Sequence, residues 1–288
     1  MFANDLPVIV ATDFSEPGDE AIQQASVWAK ERPLIAVHAI ADPTPMFAPI
    51  GEMQRYAKLM KELRAKREEG LRARVEKLLG RDDVTCEVHI GSPADVVLRI
   101  AAEQRAGLVV VGATGRGTVE QMLLGSTADQ VLRSADRPVL VARASGNGPV
   151  VAATDLSQTA TPALEAGVDA SRLFAHPLVA LHALDIAHPV LSAIDPAIVI
   201  DDQTRQQLHA ACREVLRANL ERLDHEGTTE VVEGPPGRVV AEYAEQKNAS
   251  LVVVATHGRT GMARIALGSV AADVSRRVGC SVLVVRST

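Results

Sequence analysis

The sequence has few aromatic residues and no excess of positive charge. The first shortage restricts what the core can be built from, and the second argues against nucleic-acid binding. Only 2% of its 288 residues are Phe, Trp or Tyr, so a hydrophobic core has to be built from Val, Leu, Ile and Ala. Cores of this kind are typical of buried parallel sheets covered by helices. The formal charge of −6 argues against a nucleic-acid partner, because neutralising phosphates requires clustered Lys and Arg.

Disulfides and membrane segments are missing as well. The three cysteines, Cys86, Cys212 and Cys280, lie far apart and fit no disulfide framework, which indicates a reducing compartment. No apolar run approaches the ~20 residues that a membrane-spanning helix needs. The first residues, MFANDLPVIV, lack a basic region followed by an apolar stretch, so we expect no signal peptide. These absences predict a cytoplasmic protein without membrane contact.

What the chain does contain is a long internal repeat. Residues 107–143 align with residues 250–286 without gaps, with 16 identities in 37 positions. Matching segments also lie outside that window: VIVATDFS (8–15) with VVAATDLS (150–157), AVHAI (36–40) with ALHAL (180–184), and IGSPADVV (90–97) with EGPPGRVV (233–240). A period this long indicates a duplicated domain rather than a solenoid unit. We predict domains at 1–145 and 149–288, joined by the Gly-rich stretch ASGNGP.

Each half alternates short apolar runs with amphipathic stretches. Strands are predicted near residues 6–12, 34–40, 84–90, 107–112 and 138–143, and again near 150–154, 178–184, 229–233, 250–255 and 281–286. Helices are predicted near 17–31, 52–79, 93–105, 119–134, 159–173, 201–225, 236–247 and 262–277. This alternation predicts parallel sheets with helices on both faces and right-handed crossovers. The run LVVV, apolar without alternation, is typical of a strand buried on both faces.

Polar residues and glycines follow the predicted strands, at the edge where doubly wound sheets bind ligands. TDFS (12–15) follows the first strand. After the fourth strand come Gly112, Gly115, Gly125 and Ser126, spaced as Gly, two residues, Gly, nine residues, Gly-Ser. Glycines let the backbone approach an anion closely, and amides at a helix N-terminus can bind phosphate. The aspartate of TDFS can accept hydrogen bonds from a ribose or an adenine, so together these residues indicate a nucleotide site.

Simpler interpretations of the same residues remain open. The glycines could serve ordinary turns, and Asp13 could do no more than cap the following helix. Recurrence of Asp, Gly and Gly-Ser at matched positions of the second half favours a ligand site over coincidence. The chain has no Walker A sequence, and its first β-α turn carries no G-x-G-x-x-G fingerprint.

These residues resemble the universal stress protein family across both halves, so the chain looks like two such domains fused. The family's ATP-binding branch carries G-x2-G-x9-G-[S/T], and the first half has this motif in full. The resemblance implies two tandem Rossmann-like, doubly wound α/β domains, each with a five-stranded parallel sheet of order 3-2-1-4-5. It implies that the last strands, 138–143 and 281–286, pair antiparallel about a pseudo-two-fold axis, as an intrachain pseudo-dimer. A further homodimer of tandem chains stays open.

By resemblance, the first half binds ATP with its base near Asp13 and Ala39 and its phosphates at the glycine loop, Mg²⁺ being a candidate companion. Arg116, after the second glycine, could reach a phosphate or only solvate the loop. The matching residues of the second half are Asp155, Ala183, Gly258, Arg259, Gly268 and Ser269. Ala255 replaces the first glycine there, and its methyl could block the nucleotide or be tolerated at a strand end.

The histidines carry a weaker signal for a metal. His38 and His182 lie at matched ends of the second strand, where we expect a shared structural hydrogen bond. His209 and Cys212 share a helical face at i, i+3, but no third and fourth ligand can be named, so no metal site is predicted.

Three functions are compatible with these residues. The resemblance favours an adenine-nucleotide-binding regulator of stress adaptation that acts on a protein partner the sequence does not identify. A slow ATPase or phosphotransferase is the alternative, although no general base, no Walker-type lysine and no catalytic residue can be assigned. A structural module with vestigial sites is the third, above all for the second half. The apolar segments 42–50 and 185–200, which follow the second strand of each half, are candidate lids or partner-contact loops.

Overall fold

The structure is a computed structural model that describes residues 5–41, 53–114, 124–144, 146–186, 201–256 and 267–286. The chain divides into two compact units, Phe2–Arg143 and Ala144–Thr288, which we term the N-terminal and the C-terminal unit. Each unit is an α/β domain built on parallel strands, as the alternation of apolar runs and amphipathic stretches predicts.

The N-terminal unit follows the predicted βα alternation. Its strands are β1 (Val8–Ala11), β2 (Leu34–Ile40), β3 (Thr85–Ile90), β4 (Leu108–Gly112) and β5 (Val139–Ala142). Its described helices are α1 (Glu16–Ala29), α2 (Met53–Leu79), α3 (Pro93–Glu103) and α4 (Ser126–Ser134). The strands are parallel in the order β3-β2-β1-β4-β5, which confirms the predicted topology.

The C-terminal unit repeats this plan. Its strands are β6 (Val150–Ala153), β7 (Leu178–Leu184), β8 (Thr228–Glu233), β9 (Leu251–Ala255) and β10 (Ser281–Val285), in the parallel order β8-β7-β6-β9-β10. Its described helices are α5 (Thr161–Phe174), α6 (Asp202–Arg222), α7 (Pro236–Gln246) and α8 (Ser269–Arg277). One 3₁₀ turn, Gln158–Ala160, precedes α5 and has no counterpart among the described elements of the N-terminal unit.

The two sheets also share their register. Val8 of β1 pairs with Leu34 on one side and Leu108 on the other. Its counterpart in β6 pairs with the matched residues of β7 and β9. Side chains at matched positions therefore face the same side of their sheets, which lets the two units be compared residue by residue.

The buried strands and helix α1 show why these segments fold as they do. Residues 108–111 of β4 are almost fully buried, as an unalternating apolar run predicts for a central strand. Helix α1 begins after Ser15, whose hydroxyl accepts a hydrogen bond from the Gly18 N–H, and it carries Pro17 in its first turn. Its apolar face is buried, with Ile22 fully covered, and contacts β1 and β4. The start of α1 is thereby held at the carboxyl edge of the sheet.

Two helices begin later than their amphipathic patterns predict. We expected helices over 119–134 and 262–277, but α4 begins at Ser126 and α8 at Ser269. Gly125 and Gly268 precede them in extended conformation, with φ −66° and ψ 154° for Gly125. Each glycine donates its N–H to a carbonyl at the end of the preceding strand instead of continuing a helix. Both glycines therefore stand before the helix rather than within it; 115–123 and 257–266 lie outside the described residues.

Within the described part of the chain, no helix combines the length and the apolar character needed to cross a membrane.

Candidate functional site

The segment after β1 forms a tight, hydrogen-bonded turn. Thr12 Oγ1 accepts from the Phe14 N–H at 3.1 Å, and Asp13 Oδ1 accepts from the Ser15 N–H at 3.0 Å and from the Ser15 hydroxyl. Phe14 has a φ of +65°, in the left-handed region. The helix cap is Ser15, since its hydroxyl accepts from the Gly18 N–H at 3.3 Å. Asp13 is therefore not the cap of α1; it holds the turn with one carboxylate oxygen.

The C-terminal unit builds the same turn after β6. Thr154 Oγ1 accepts from the Leu156 N–H at 3.1 Å, and Asp155 Oδ1 accepts from the Ser157 N–H at 3.0 Å and its hydroxyl at 2.5 Å. Leu156 has a φ of +66°. Such a conformation costs about 1–3 kcal/mol for a non-glycine residue and persists only where its surroundings enforce it. Sequence reasoning missed it, because neither Phe nor Leu is a residue that favours positive φ.

The ends of the first two strands are tied together by a histidine in each unit. The His38 ring nitrogen Nδ1 lies 2.8 Å from the Thr12 carbonyl oxygen, and the His182 Nδ1 lies 2.9 Å from the Thr154 carbonyl oxygen. A carbonyl oxygen only accepts, so Nδ1 carries the proton in both rings. The predicted structural hydrogen bond is confirmed, and it brings the end of the second strand beside the turn after the first.

A second tie closes the glycine loop. The Gly125 N–H donates to the Ala113 carbonyl oxygen at 2.7 Å, and the Gly268 N–H donates to the Thr256 carbonyl oxygen at the same distance. The end of the loop is thereby drawn back to the end of β4 or β9. Gly112 and the first turn of α4 meet at the same edge of the sheet although 13 positions separate Gly112 from Gly125.

In the N-terminal unit these parts surround one cavity of about 350 Å³. The sequence-predicted residues that line it are Asp13, Ala39, Gly112, Gly125 and Ser126. Gly115 and Arg116 lie outside the described residues. Three consecutive residues of α4, 126–128, also line the cavity, and a helix leaves the amides of its first turn without intrahelical acceptors. The cavity therefore has hydrogen-bond donors at one end and a carboxylate at the β1 turn.

A matching cavity of about 280 Å³ lies in the C-terminal unit. The sequence-predicted residues that line it are Asp155, Ala183, Gly268 and Ser269, together with Ala255 at the position of the replaced glycine. Gly258 and Arg259 lie outside the described residues. The substitution of alanine for glycine thus leaves a cavity in place.

Gly112 has a structural role that the sequence did not reveal. A Cβ at this position would lie 2.7 Å from the Pro17 carbonyl oxygen and 2.9 Å from its carbon. These are backbone atoms, so they cannot rotate out of the way. The interpretation that this glycine serves close approach to an anion is therefore incomplete: glycine is needed here because the start of α1 lies directly against the end of β4.

Two cationic side chains lie near the turn that follows β1. Arg74 Nε and Nη2 lie 2.5 and 2.6 Å from the two Asp19 carboxylate oxygens. The pKa of Arg74 is raised by these hydrogen bonds and, further, by the charges of Asp19 and Asp13. Arg67 lies over the Phe14 ring at 5.8 Å from its centroid, and that ring packs edge-on against the cavity-lining His38 at 4.6 Å. No sequence signal pointed to Arg67 or Phe14, since long-range packing alone brings them together.

His209, which the sequence paired with Cys212 as two potential metal ligands, contacts a carboxylate in the structure. His209 Nε2 lies 2.8 Å from Glu233 Oε1, and Arg205 Nη1 lies 3.2 Å from Glu233 Oε2. Among the described residues, no group of three or more His, Cys, Asp or Glu side chains is arranged to hold a metal ion. His209 therefore serves a carboxylate contact between α6 and β8.

Each unit is thus a doubly wound α/β domain with a cavity at the carboxyl edge of its sheet, where such folds bind their ligands. The chain belongs to the universal stress protein family, whose family model matches residues 6–143 and again residues 146–286. Two matches, one to each half, agree with the tandem arrangement that the internal repeat predicts.

Individual relatives agree with this assignment. A universal stress protein of Mycolicibacterium smegmatis is 29% identical over 296 residues, covering 99% of this chain and 98% of its own. A universal stress protein of Methanocaldococcus jannaschii is 32% identical over 138 residues, covering 48% of this chain and 81% of its own. The crystal structure of a universal stress protein from Archaeoglobus fulgidus covers both chains completely with a TM-score of 0.68 at 19% identity, so it shares the fold.

Proposed function

We propose that this protein is an adenine-nucleotide-binding regulator of stress adaptation, with ATP bound in the N-terminal cavity and little or no turnover. One observation carries the proposal. A single cavity gathers the Asp13 carboxylate, Ala39 at the end of β2, Gly112, and the first turn of α4. A volume of about 350 Å³ lies in the range of small-molecule sites, which runs from roughly 300 to 1,000 Å³.

The two ends of this cavity suit the two ends of a nucleotide. The β1–β2 end offers apolar contact from Val37 and Ala39 beside the Asp13 carboxylate, which suits an adenine with its ribose. The other end offers the amides of the first turn of α4 and the hydroxyls of Ser126 and Thr127, which suit phosphates. These hydroxyls are also among the oxygen ligands that the described lining offers to Mg²⁺ accompanying the phosphates.

Low turnover is part of the proposal because the titratable groups of the described lining are already engaged. Asp13 holds the Ser15 amide and hydroxyl, and His38 donates through Nδ1 to the Thr12 carbonyl oxygen. Both groups thereby fix the strand ends. We further propose that nucleotide occupancy is sensed by a protein partner and that the protein acts in the cytoplasm, where the buried Cys86 would remain a thiol.

Titration calorimetry with ATP and Mg²⁺, combined with a phosphate-release assay, tests the function. Asp13→Asn keeps an oxygen for the Ser15 amide but loses the charge, so affinity for ATP should fall about tenfold or more, as expected for a hydrogen bond to a charged group. Asp82→Asn, which removes the same charge at an exposed position after α2, is the matched control and should leave affinity unchanged. Absence of ATP binding by the wild type would refute the proposal, and several turnovers per minute would favour the ATPase instead.

A further inference from the structure

Helices α1 and α2 form one layer on the sheet of the N-terminal unit. The two helices contact each other and the strands of this unit. Arg74 of α2 pairs with Asp19 in the first turn of α1, and Arg67 lies over the ring of Phe14, just before α1. Because both helices run antiparallel to the strands that they follow, they are parallel to each other. These contacts therefore place the start of α1 beside the middle of α2.

The part of α2 that extends beyond α1 is strongly cationic. It reaches about 18 Å past Arg67, at 1.5 Å per residue from position 67 to position 55. Residues 55–67, which we term the cationic end of the layer, carry six Lys or Arg and one Glu, and they include Leu59, which is 59% exposed. Four of these cations are exposed and have neither an ion pair nor a hydrogen bond within the described part of the chain: Arg55, Lys61, Arg64 and Lys66.

The opposite end of the same layer is acidic. Residues 16–31, which we term the acidic end, carry four Asp or Glu and one Lys. Val27 is 47% exposed there. Glu16 and Glu20 precede it by eleven and seven positions and therefore share its helical face, and Glu31 follows it by four. Each end of the layer thus presents one exposed apolar side chain among charges of a single prevailing sign.

This separation of charge is not a general property of the fold. In the C-terminal unit α6 takes the place of α2, between the second and third strands, and it carries four Arg and three Asp or Glu. Its neighbour α5 carries two acidic residues and one Arg. The chain as a whole has a formal charge of −6, so the cationic end of α2 lies on an otherwise acidic protein. Another copy of this chain therefore offers a surface of complementary charge.

A membrane or a nucleic acid would suit this surface less well. A helix that lies in a membrane interface needs a broad apolar face, whereas Leu59 is the one large apolar side chain that is exposed among the described side chains of α2. The acidic end of the layer and the negative formal charge would both repel phosphates.

A layer with one cationic and one acidic end is complementary to itself. Val27 follows Phe14 by 13 positions and Leu59 precedes Arg67 by eight, so about 30 Å separates the two apolar side chains along the helix axes. A two-fold axis midway between them brings the cationic end of each copy onto the acidic end of the other. Leu59 of one copy then meets Val27 of the partner subunit.

The size of the layer fits a weak dimer. Helix α2 has 27 residues and α1 has 14, which gives lengths of about 40 and 20 Å. With a helix diameter of about 10 Å, the layer offers roughly 600 Å² per copy. A dimer would then bury about 1,200 Å², the lower limit for specific interfaces, so charge complementarity has to contribute much of its stability.

We propose that two copies of this chain associate through the α1–α2 layers of their N-terminal units, with the cationic end of each layer on the acidic end of the other. The inference goes beyond the proposed function and does not depend on nucleotide binding. It gives a role to the projecting part of α2, none of whose described residues lines the N-terminal cavity.

Sedimentation velocity of the full chain tests this with two sets of charge reversals. The first set, Lys58→Glu, Lys61→Glu and Lys66→Glu, turns the net charge of the cationic end negative. The second set, Glu20→Lys and Glu31→Lys, turns that of the acidic end positive. None of these side chains is buried, so both variants should fold, which circular dichroism verifies.

At about 20 mM salt we expect the wild type to dimerise in the micromolar range. Each set should weaken the dimer at least tenfold, because like charges then face each other at both ends. At about 500 mM salt, screening should dissociate the wild type.

An equimolar mixture of the two variants is the decisive sample. The altered ends no longer repel each other in the mixed dimer, and the unaltered cationic and acidic ends still pair, so association should return although each variant alone is monomeric. The matched control is Glu214→Lys with Glu221→Lys, which makes the same change of charge on the exposed face of α6. The control should dimerise like the wild type, and its mixture with the first set should not restore the dimer.

The inference is overturned if the wild type is monomeric at about 100 μM in low salt. It is also overturned if either set leaves a dimer intact, or if the mixture of the two variants stays monomeric. A monomeric wild type that binds phosphatidylglycerol vesicles or duplex DNA through the same lysines would assign the cationic end to that ligand instead. Because assembly rather than ligand binding is measured, each of these results leaves the proposed function standing.

Discussion

Replacing Gly112 by alanine should destabilise the N-terminal unit, because the new methyl would enter the backbone of α1. The Cβ would lie 2.7 Å from the Pro17 carbonyl oxygen, closer than carbon and oxygen atoms pack. The helix start or the strand end must shift by several tenths of an ångström to relieve this contact. Overpacking of this kind costs about 1–3 kcal/mol of unfolding free energy. With a typical urea dependence of about 1–3 kcal/mol per molar, the unfolding midpoint should fall by about 1 M.

The single tryptophan makes the assay specific for this unit. Trp28 is in α1 and only 3% exposed, so its fluorescence reports unfolding of the N-terminal unit. Two controls match the change. Gly70→Ala in the exposed part of α2, where a Cβ meets nothing within 4 Å, should raise the midpoint, because alanine stabilises a helix by about 0.5–1 kcal/mol over glycine. Ala255→Gly should leave the tryptophan transition unchanged.

The same variant connects stability with binding. Pro17 follows the Asp13–Ser15 turn, so a shift of the helix start should displace the carboxylate and weaken ATP at the N-terminal cavity. A Gly112→Ala midpoint equal to or above that of the wild type would refute the argument, since it would show that the contact between β4 and α1 relaxes at no cost.

Three other predictions concern single groups. A double-mutant cycle with Arg74→Met and Asp19→Asn should give a coupling of about 0.5–1 kcal/mol in urea unfolding, because the pair is partly exposed; no coupling would contradict the bidentate geometry. Burial raises the pKa of the Cys86 thiol, so iodoacetamide should label it only on unfolding; because Cys212 is partly exposed, labelling is read by peptide mass spectrometry, and rapid labelling of Cys86 itself in the native protein would refute its burial. Burial and, secondarily, Arg172 lower the pKa of His225, so the folded state favours the neutral ring. Stability should therefore be unaffected above pH ~6.5 and fall as the pH drops below it, and His225→Asn should flatten that profile in circular dichroism.

Much of the fold was predictable from local pattern. The strand LVVV (108–111) is apolar without alternation, and this pattern alone is enough to predict a strand that is buried on both faces. The duplicated motif also indicated where the two cavities lie, because matched Asp and Gly-Ser residues follow the ends of neighbouring parallel strands. The predicted starts of α4 and α8 were wrong. An amphipathic pattern does not show that the Gly125 N–H donates to the Ala113 carbonyl oxygen instead of continuing a helix.

The sequence by itself determined that this chain repeats one α/β domain, and it determined which segments end at the carboxyl edge of each sheet. Both the repeat and the strand ends follow from periodicity and residue type, which can be read within a few neighbouring positions. Only the tertiary structure showed why Gly112 is glycine. That requirement depends on how closely a helix start approaches a strand end almost a hundred positions away, and no local pattern encodes such a distance.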